Sequence, residues 1–389
     1  MPPEPTAATD PTDPTDLTHP HPHPTVPTAP PPSPRPHNPR PTLLLTGAAG
    51  VLGRALIDEL CDDYDLICLR HRAPLDDPRV REVTADLRAP GLGLSAAQRL
   101  DLAAEVDVVV HSAAATNWRL DPADIWRTNL DGTRSMLDLA ARADAPFFYM
   151  STAFVANPLA PEEQERFPGA AAYLASKTAA EDAVRSAEVP GVILRPSLVM
   201  GDSSTGRIAR VQGLTRALGG IVKGQVPVLP GSPGTRIDMV PQDVVARAVG
   251  DLVRSGVARG EYWLTAGREA ILQREVVDIC LEFAGRHGER PHPPRLIPVE
   301  AVHRLLLPLL EGPSFPALVR RRLQDYAELL LVFQRELPFA SDLGTPHCGT
   351  APTRAAIRSA LTRNVECWAT GRGGLRRART TRTPAELAS

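Results

Sequence analysis

The stretch LLLTGAAGVLGRAL, residues 43–56, constrains the fold more than any other part of the chain. An apolar run enters a turn with glycine at 47, 50 and 53, and a helical pattern starts near Val51. A strand that passes into a helix through so little side chain implies close approach of backbone. Gly47 can take the positive φ of a tight turn. Gly50 leaves room for backbone N–H groups beside an anion, and Gly53 lets the helix pack closely on the sheet. The N-terminus of such a helix carries partial positive charge and open donors, which suit a pyrophosphate. The spacing is G-x-x-G-x-x-G, not the G-x-G-x-x-G of the commonest dinucleotide fingerprint.

The turn opens a long alternation. PTLLLTG, YDLICLR, VREVTADL, DVVVHSAA, PFFYMST and GVILRPS read as strands. Between them, VLGRALIDELCDD, SAAQRLDLAAEV, DIWRTNLDGTRSMLDLAARA and YLASKTAAEDAVRSA carry helical periodicity. This order predicts a parallel sheet with helices on both faces. Ligands in such sheets sit beyond the carboxyl ends of the strands. The glycine turn, HSAAA, MSTAF and RPSLVMG all fall at such ends. Past residue 200 the pattern loosens, with a loop feeding a helix in RIDMVPQDVVARAVGDLV and a strand in GEYWLTAG.

Composition removes several classes of function. A net charge of −2 and 4% aromatic residues offer nucleic acid neither a basic surface nor stacking platforms. The five cysteines are odd in number and include no C-x-x-C, so they read as buried small hydrophobes in a reducing cytoplasm. His347 and Cys348 are too few ligands for a metal site. No secretory signal or membrane-length apolar run is visible, and AVHRLLLPLLEG is short and broken by Pro308. Residues 1–40 are Pro, Thr, Asp and His with almost nothing apolar, which predicts a disordered tail.

Tyr173 and Lys177 stand four apart in YLASK, on one face of a predicted helix. An unperturbed tyrosine has a pKa of about 10. A nearby ammonium favours the phenolate and lowers that pKa, so the pair can exchange a proton with a substrate oxygen. MSTAF, at the end of the preceding strand, offers Ser151 and Thr152 as a second hydroxyl.

These motifs resemble the extended short-chain dehydrogenase/reductases over roughly residues 41–270. The matching elements are T-G-x-x-G-x-x-G at Thr46–Gly53, Y-x-x-x-K at Tyr173 and Lys177, and the strand end GVILRPSLVMG. VTADLRAPGLGLS, VDVVVHSAAATNW, RTNLDGTRSMLDLA and LRPSLVMGDSSTGR are similar to thioester reductases and fatty acyl-CoA reductases. The chain departs from their pattern at Ala85, where glycine is usual, and at Thr178, where tryptophan is common.

The resemblance implies catalysis by Thr152, Tyr173 and Lys177. It implies cofactor contacts from Thr46, Gly47, Ala49, Gly50, Val51, Leu52, Gly53, Asp86, Leu87, Ser112, Ala113, Ala114 and Pro196, with Tyr173 and Lys177 also touching the cofactor. Asp86 would contact the adenine. At the end of the second strand Arg70, followed by Arg72, replaces the carboxylate that usually marks NAD. A guanidinium suits a 2′-phosphate, so NADPH is expected over NADH.

The expected architecture is α/β: a Rossmann-type doubly wound parallel sheet with a smaller, mainly helical substrate-binding cap. Its divisions are a Pro-rich disordered tail (1–40), an NAD(P)-binding domain (41–270, with 201–235 contributing to the substrate site), the cap (271–370) and a flexible tail (371–389). The expected activity is NADPH-dependent reduction of an acyl thioester, on coenzyme A or a separate carrier protein, to aldehyde or alcohol. The expected location is the cytoplasm, with no nucleic acid, metal or integral membrane partner. Alternatives are a nucleotide-sugar epimerase or hydroxysteroid-type dehydrogenase, a non-catalytic NAD(P)-sensing regulator, and a membrane-surface adaptor.

Overall fold

A computed structural model describes residues 40–209, 213–302 and 332–370, together with 304, 308, 328 and 329. The two expected tails lie outside the described residues, as do Leu305, Leu306, Leu307, Leu309 and Leu310 and most of the run at 315–333.

Seven parallel strands form the main sheet: β1 (Thr42–Thr46), β2 (Asp65–Arg70), β3 (Val80–Thr84), β4 (Val108–His111), β5 (Phe147–Met150), β6 (Gly191–Pro196) and β11 (Gly260–Leu264). Their order is β11-β6-β5-β4-β1-β2-β3. β1 lies between β2 and β4, so the winding reverses direction there, and the crevice at that switch point is where such sheets receive ligands. Every residue of β1 is buried. Leu43 and Leu45 face one apolar cluster and Leu44 the opposite one, which is why the strand reads as a continuous apolar run.

Helix α1 (Val51–Leu60) leaves the glycine turn and packs on α8 (Gln242–Arg254). α2 (Ala96–Glu105) covers the other face and is closed by a capping box at Ser95 and Gln98. The helix expected over 124–143 is interrupted. It runs as α3 (Pro122–Trp126), one π-helical turn (Arg127–Asp131) and α4 (Gly132–Ala143). The wider turn buries Asn129, which an unbroken amphipathic reading does not anticipate. After the short α5 (Pro161–Arg166) comes the helix that carries Tyr173, α6 (Pro168–Ser186). It starts a turn and more earlier than its motif suggests, with Pro168 in its first turn.

The unit beside this sheet draws on both sides of residue 270. β8 (Val228–Pro230) pairs with β13 (Arg295–Ile297), which the short α10 (Val299–Ala301) follows. β9 (Arg236–Ile237) pairs with β12 (Ile271–Leu272) and β14 (Gln334–Arg335). Helices α7 (Gly213–Val222), α9 (Gln273–Arg286) and the C-terminal α11 (Arg354–Thr370) pack together over these short strands. β10 (Met239–Pro241) lies along β7 (Leu198–Met200), joining this unit to the end of β6.

Candidate active site

The three glycines converge on one atom, the carbonyl oxygen of Gly47. Gly47 has φ +75°, and a Cβ there would lie 2.7 Å from the Ala113 nitrogen on the neighbouring strand end. The Gly50 N–H donates to the Gly47 carbonyl at 2.8 Å. A Cβ at Gly53 would sit 2.1 Å from that same oxygen. Gly53 therefore lets α1 close on its own entry turn, not on the sheet as the sequence suggested. The first turn of α1 has no side-chain cap and no acidic residue. Its donors and partial positive charge suit a pyrophosphate, and the cradle is one that side chains would fill. Ala49 is exposed at the tip of the turn, Leu52 is partly buried, and Val51 is buried.

A chain of buried polar groups runs from this turn to α6. The Ala113 N–H donates to Thr46 Oγ1 at 3.1 Å, and Thr46 Oγ1 lies 2.7 Å from His111 Nδ1. His111 Nε2 lies 3.1 Å from Thr133 Oγ1, whose hydroxyl donates to the Asn129 carbonyl at 2.6 Å. Thr133 gives its one proton to the Asn129 carbonyl, so His111 Nε2 donates to Thr133, and Nδ1 of the neutral ring accepts from Thr46. Burial, with Lys177 nearby, keeps His111 neutral and pushes its pKa down to about 3. Asn129 then bonds Ala115 through Oδ1 (2.7 Å) and Ser176 through Nδ2 (3.0 Å), and Ser176 donates to the Tyr173 carbonyl (2.9 Å). Sequence reasoning passed over His111, Thr133, Asn129 and Ser176, since their partners are distant in the chain.

Tyr173 is partly buried, with the Thr152 side chain close enough to act on its phenol. Burial pushes the phenol up to about 12, with Thr152 acting in the opposite sense. The lowering expected from Lys177 is not seen. Lys177 Nζ instead donates to the Met150 carbonyl at 2.6 Å and lies 4.6 Å from the centre of the Tyr149 ring. Burial brings its own pKa down to about 7, with Glu181 pulling it back up. Ser151 donates to Glu181 Oε1 at 2.5 Å, so of the two candidate hydroxyls Thr152 is the one that faces Tyr173. Glu181 is also bound by both arms of Arg195, at 2.9 and 2.7 Å.

At the end of β2, Arg70 is already engaged: Nε lies 2.9 Å from Glu82 on β3. The Arg72 side chain is exposed and has no partner among the described residues. Asp86 accepts from the Arg88 N–H at 3.0 Å, which with His71 and Arg88 nearby holds its carboxyl below the usual range. Leu87 packs against Gly132 at the start of α4. Ser112, Ala113 and Ala114 continue β4 past its last residue, and Pro196 ends β6. The glycine turn, strand ends and Tyr173–Lys177 pair therefore occupy one edge of the sheet.

An aromatic wall extends from this edge. Trp118 lies 6.1 Å from Tyr173 and 5.4 Å from Phe333, and Phe333 meets Phe154 edge-on at 4.6 Å. Behind Phe333 a small apolar pocket, partly open to solvent, is lined by Leu198, Leu218, Ile221, Leu229 and Val277 among others.

Fold and site together define a dinucleotide-binding short-chain dehydrogenase/reductase of the extended type. Residues 68–249 match the NAD-binding family described as "Male sterility protein". That match covers just under half of the chain and, with the fold, supports a place among the extended short-chain dehydrogenase/reductases of thioester reductase type. It is 32% identical over 243 residues to a component of the linear gramicidin synthase of Brevibacillus parabrevis, covering 53% of this chain and 5% of that protein. It is 33% identical over 193 residues to the polyketide synthase-nonribosomal peptide synthetase ACE1 of Pyricularia oryzae, covering 43% of this chain and 5% of that protein. The chain thus spans about a twentieth of these relatives (5% of each). Among solved structures, the terminal R domain from the myxalamid PKS-NRPS pathway aligns with a TM-score of 0.66 and 25% identity, over 85% of this chain and 90% of that one. A thiolation-reductase di-domain from an archaeal non-ribosomal peptide synthetase shares the fold, with a TM-score of 0.57 and 17% identity over 84% of this chain and 75% of that one.

Among the described residues, no helix is long and apolar enough to cross a membrane and no cluster could hold a metal ion. Of the cysteines, Cys68, Cys280 and Cys348 are buried, whereas Cys61 and Cys367 are only partly so, and none forms a disulfide among the described residues. Cys61 and Cys367 therefore depart from the expectation of burial.

Proposed function

We propose that the chain reduces an acyl thioester to an aldehyde, using NADPH. The observation that carries this reading is the Tyr173–Thr152 hydroxyl pair beside buried Lys177, one strand end from a glycine cradle shaped for a pyrophosphate. The glycine turn and Ser112–Ala114 hold the dinucleotide, and Asp86 faces its adenine end. Arg72, with Arg70 in support, takes the 2′-phosphate. When bound, NADPH supplies the hydride.

The protein's part is proton and charge management at the thioester carbonyl. Tyr173 gives its hydroxyl proton to the developing alkoxide, and Thr152 stabilises the same oxygen with a hydrogen bond. A phenol held near 12 stays protonated at neutral pH, which is the form an acid needs. Lys177 holds the nicotinamide ribose and, while protonated, stabilises the tyrosinate left behind. The resulting hemithioacetal collapses to aldehyde and thiol. The relatives' names, synthetases that join polyketide and peptide units, favour delivery of the thioester on a carrier protein.

Following NADPH absorbance with the same acyl groups on coenzyme A, on pantetheine and on a carrier protein tests this. Turnover with any of them supports the thioester. No turnover on all three, with turnover of a nucleotide sugar or hydroxysteroid, overturns it.

A further inference from the structure

The pocket behind Phe333 has thirteen lining residues, of which Gln273 alone has a polar side chain. Gln273 is 3% exposed. Its amide is oriented without ambiguity, because Nε2 donates to the Pro230 carbonyl at 3.0 Å. The other end, Oε1, is enclosed and has no hydrogen-bond partner among the described residues. A glycine keeps that oxygen's space open: a Cβ at Gly231 would stand 2.3 Å from it. A buried acceptor left unmade costs stability, and natural cores seldom carry one without a use. The wall is otherwise leucine, isoleucine, valine, alanine and phenylalanine. Phe333, on the pocket's wall, lies 5.4 Å from Trp118, whose ring lies 6.1 Å from Tyr173, so two aromatic rings separate the pocket from the reaction centre.

We propose that this pocket takes the acyl chain of the substrate and that Gln273 Oε1 selects chains bearing an N–H or O–H donor on an otherwise apolar skeleton. The inference rests on the thioester reading above and sharpens its substrate class. A fully saturated fatty chain fills the lining but leaves the Gln273 oxygen unpaired. An N-acyl aminoacyl or hydroxyacyl chain fills the lining and pairs it. Sites built to hydrogen-bond a substrate group reject analogues that lack it, because their own buried atom is then stranded.

The test uses the full chain, NADPH and pantetheine thioesters of matched length. N-decanoylglycyl thioester carries an N–H donor, and decanoyloxyacetyl thioester replaces that N–H by oxygen with little change of shape. Dodecanoyl and 3-hydroxydodecanoyl thioesters form the second pair. Wild-type kcat/KM should favour at least one donor-bearing member over its partner by about tenfold, and the pair that responds identifies amide or hydroxyl as the donor. Gln273→Leu should erase that preference while keeping NADPH affinity. Equal wild-type rates within both pairs overturn the proposal without any variant. So does a Gln273→Leu protein that binds NADPH normally yet keeps the preference. If none of the four turns over on pantetheine, the same acyl groups are presented on a carrier protein; no turnover there as well removes the thioester reading and this selection with it, whereas turnover without preference removes the selection alone.

Discussion

The two halves of the site treat polar atoms in opposite ways. Along β1, β4 and the π turn, Thr46, His111, Thr133, Asn129 and Ser176 form a connected chain of hydrogen bonds. In the pocket behind Phe333 the walls are apolar, and the polar atom facing no partner is Gln273 Oε1. A connected polar network gives one rigid arrangement, as hydride transfer to a fixed carbonyl requires. An apolar pocket with a single open acceptor discriminates by length and by one donor. Chemistry is thus built into the sheet, and selection into the unit that leans on it.

The strongest way to break this comparison is at Tyr173. Tyr173→Phe removes one oxygen and keeps the ring against Trp118. General acid catalysis contributes about a hundred- to ten-thousandfold, and kcat should fall by that order with NADPH binding and melting temperature preserved. Thr152→Val removes one hydrogen bond and should lose less. A Tyr173→Phe protein with most of its turnover would detach the polar chain from catalysis, and a nucleotide-sensing role would then lead.

The next effect concerns the cofactor's identity. A charge-assisted bond is worth about 1.5–3 kcal/mol, so Arg72→Ala should weaken NADPH by about ten- to a hundredfold, measured by fluorescence titration, with NADH unmoved. Arg70→Ala should do the same only if Arg70 leaves Glu82 when the phosphate arrives. If Arg70→Ala affects both cofactors equally, that residue serves the β2–β3 pairing and Arg72 alone reads the phosphate.

These contrasts also mark what a sequence can carry. The glycine turn and the Tyr173–Lys177 pair were legible because their spacing is local, and local spacing dictates backbone geometry. The parallel sheet was legible because strands buried on both faces read as apolar runs. His111 was not, since it meets Thr46 across 65 residues, nor was Ser176, which meets Asn129 across 47. Nothing in HSAAA distinguishes a structural imidazole from a reactive one until the strand register sets His111 beside Thr46. The Arg70–Glu82 pair was missed for the same reason: it forms across neighbouring strands. The pocket's wall joins Leu198, α7 and α9, segments whose amphipathic patterns do not say which neighbour each will face.

The smallest expected effect is on pH dependence, and it turns on Lys177. The charged or titratable groups that act on its ammonium are Glu181 on its own helix, Tyr149 on β5 and His111 on β4, which is neutral. In the unfolded chain a lysine holds its proton to about 10.4. In the folded protein burial brings Lys177 down to about 7. Between those values the unfolded state binds more protons, so folding stability contributed by this group rises as pH rises through that window. Activity runs the other way, because a neutral Lys177 cannot stabilise the tyrosinate: kcat/KM should decline as pH rises past about 7. Glu181→Gln sharpens the point. It removes the carboxylate that supports the protonated form and leaves Glu261, with Asp182 beside Arg185, as the remaining partners of Arg195 and Arg185. The descending limb should then move to lower pH, while the ratio of rates for donor-bearing and donor-free acyl chains stays as in the wild type. A Glu181→Gln profile that keeps its shape and only loses amplitude would make Glu181 a packing partner of Arg195. A change in acyl preference would show that the polar half and the apolar pocket are coupled after all.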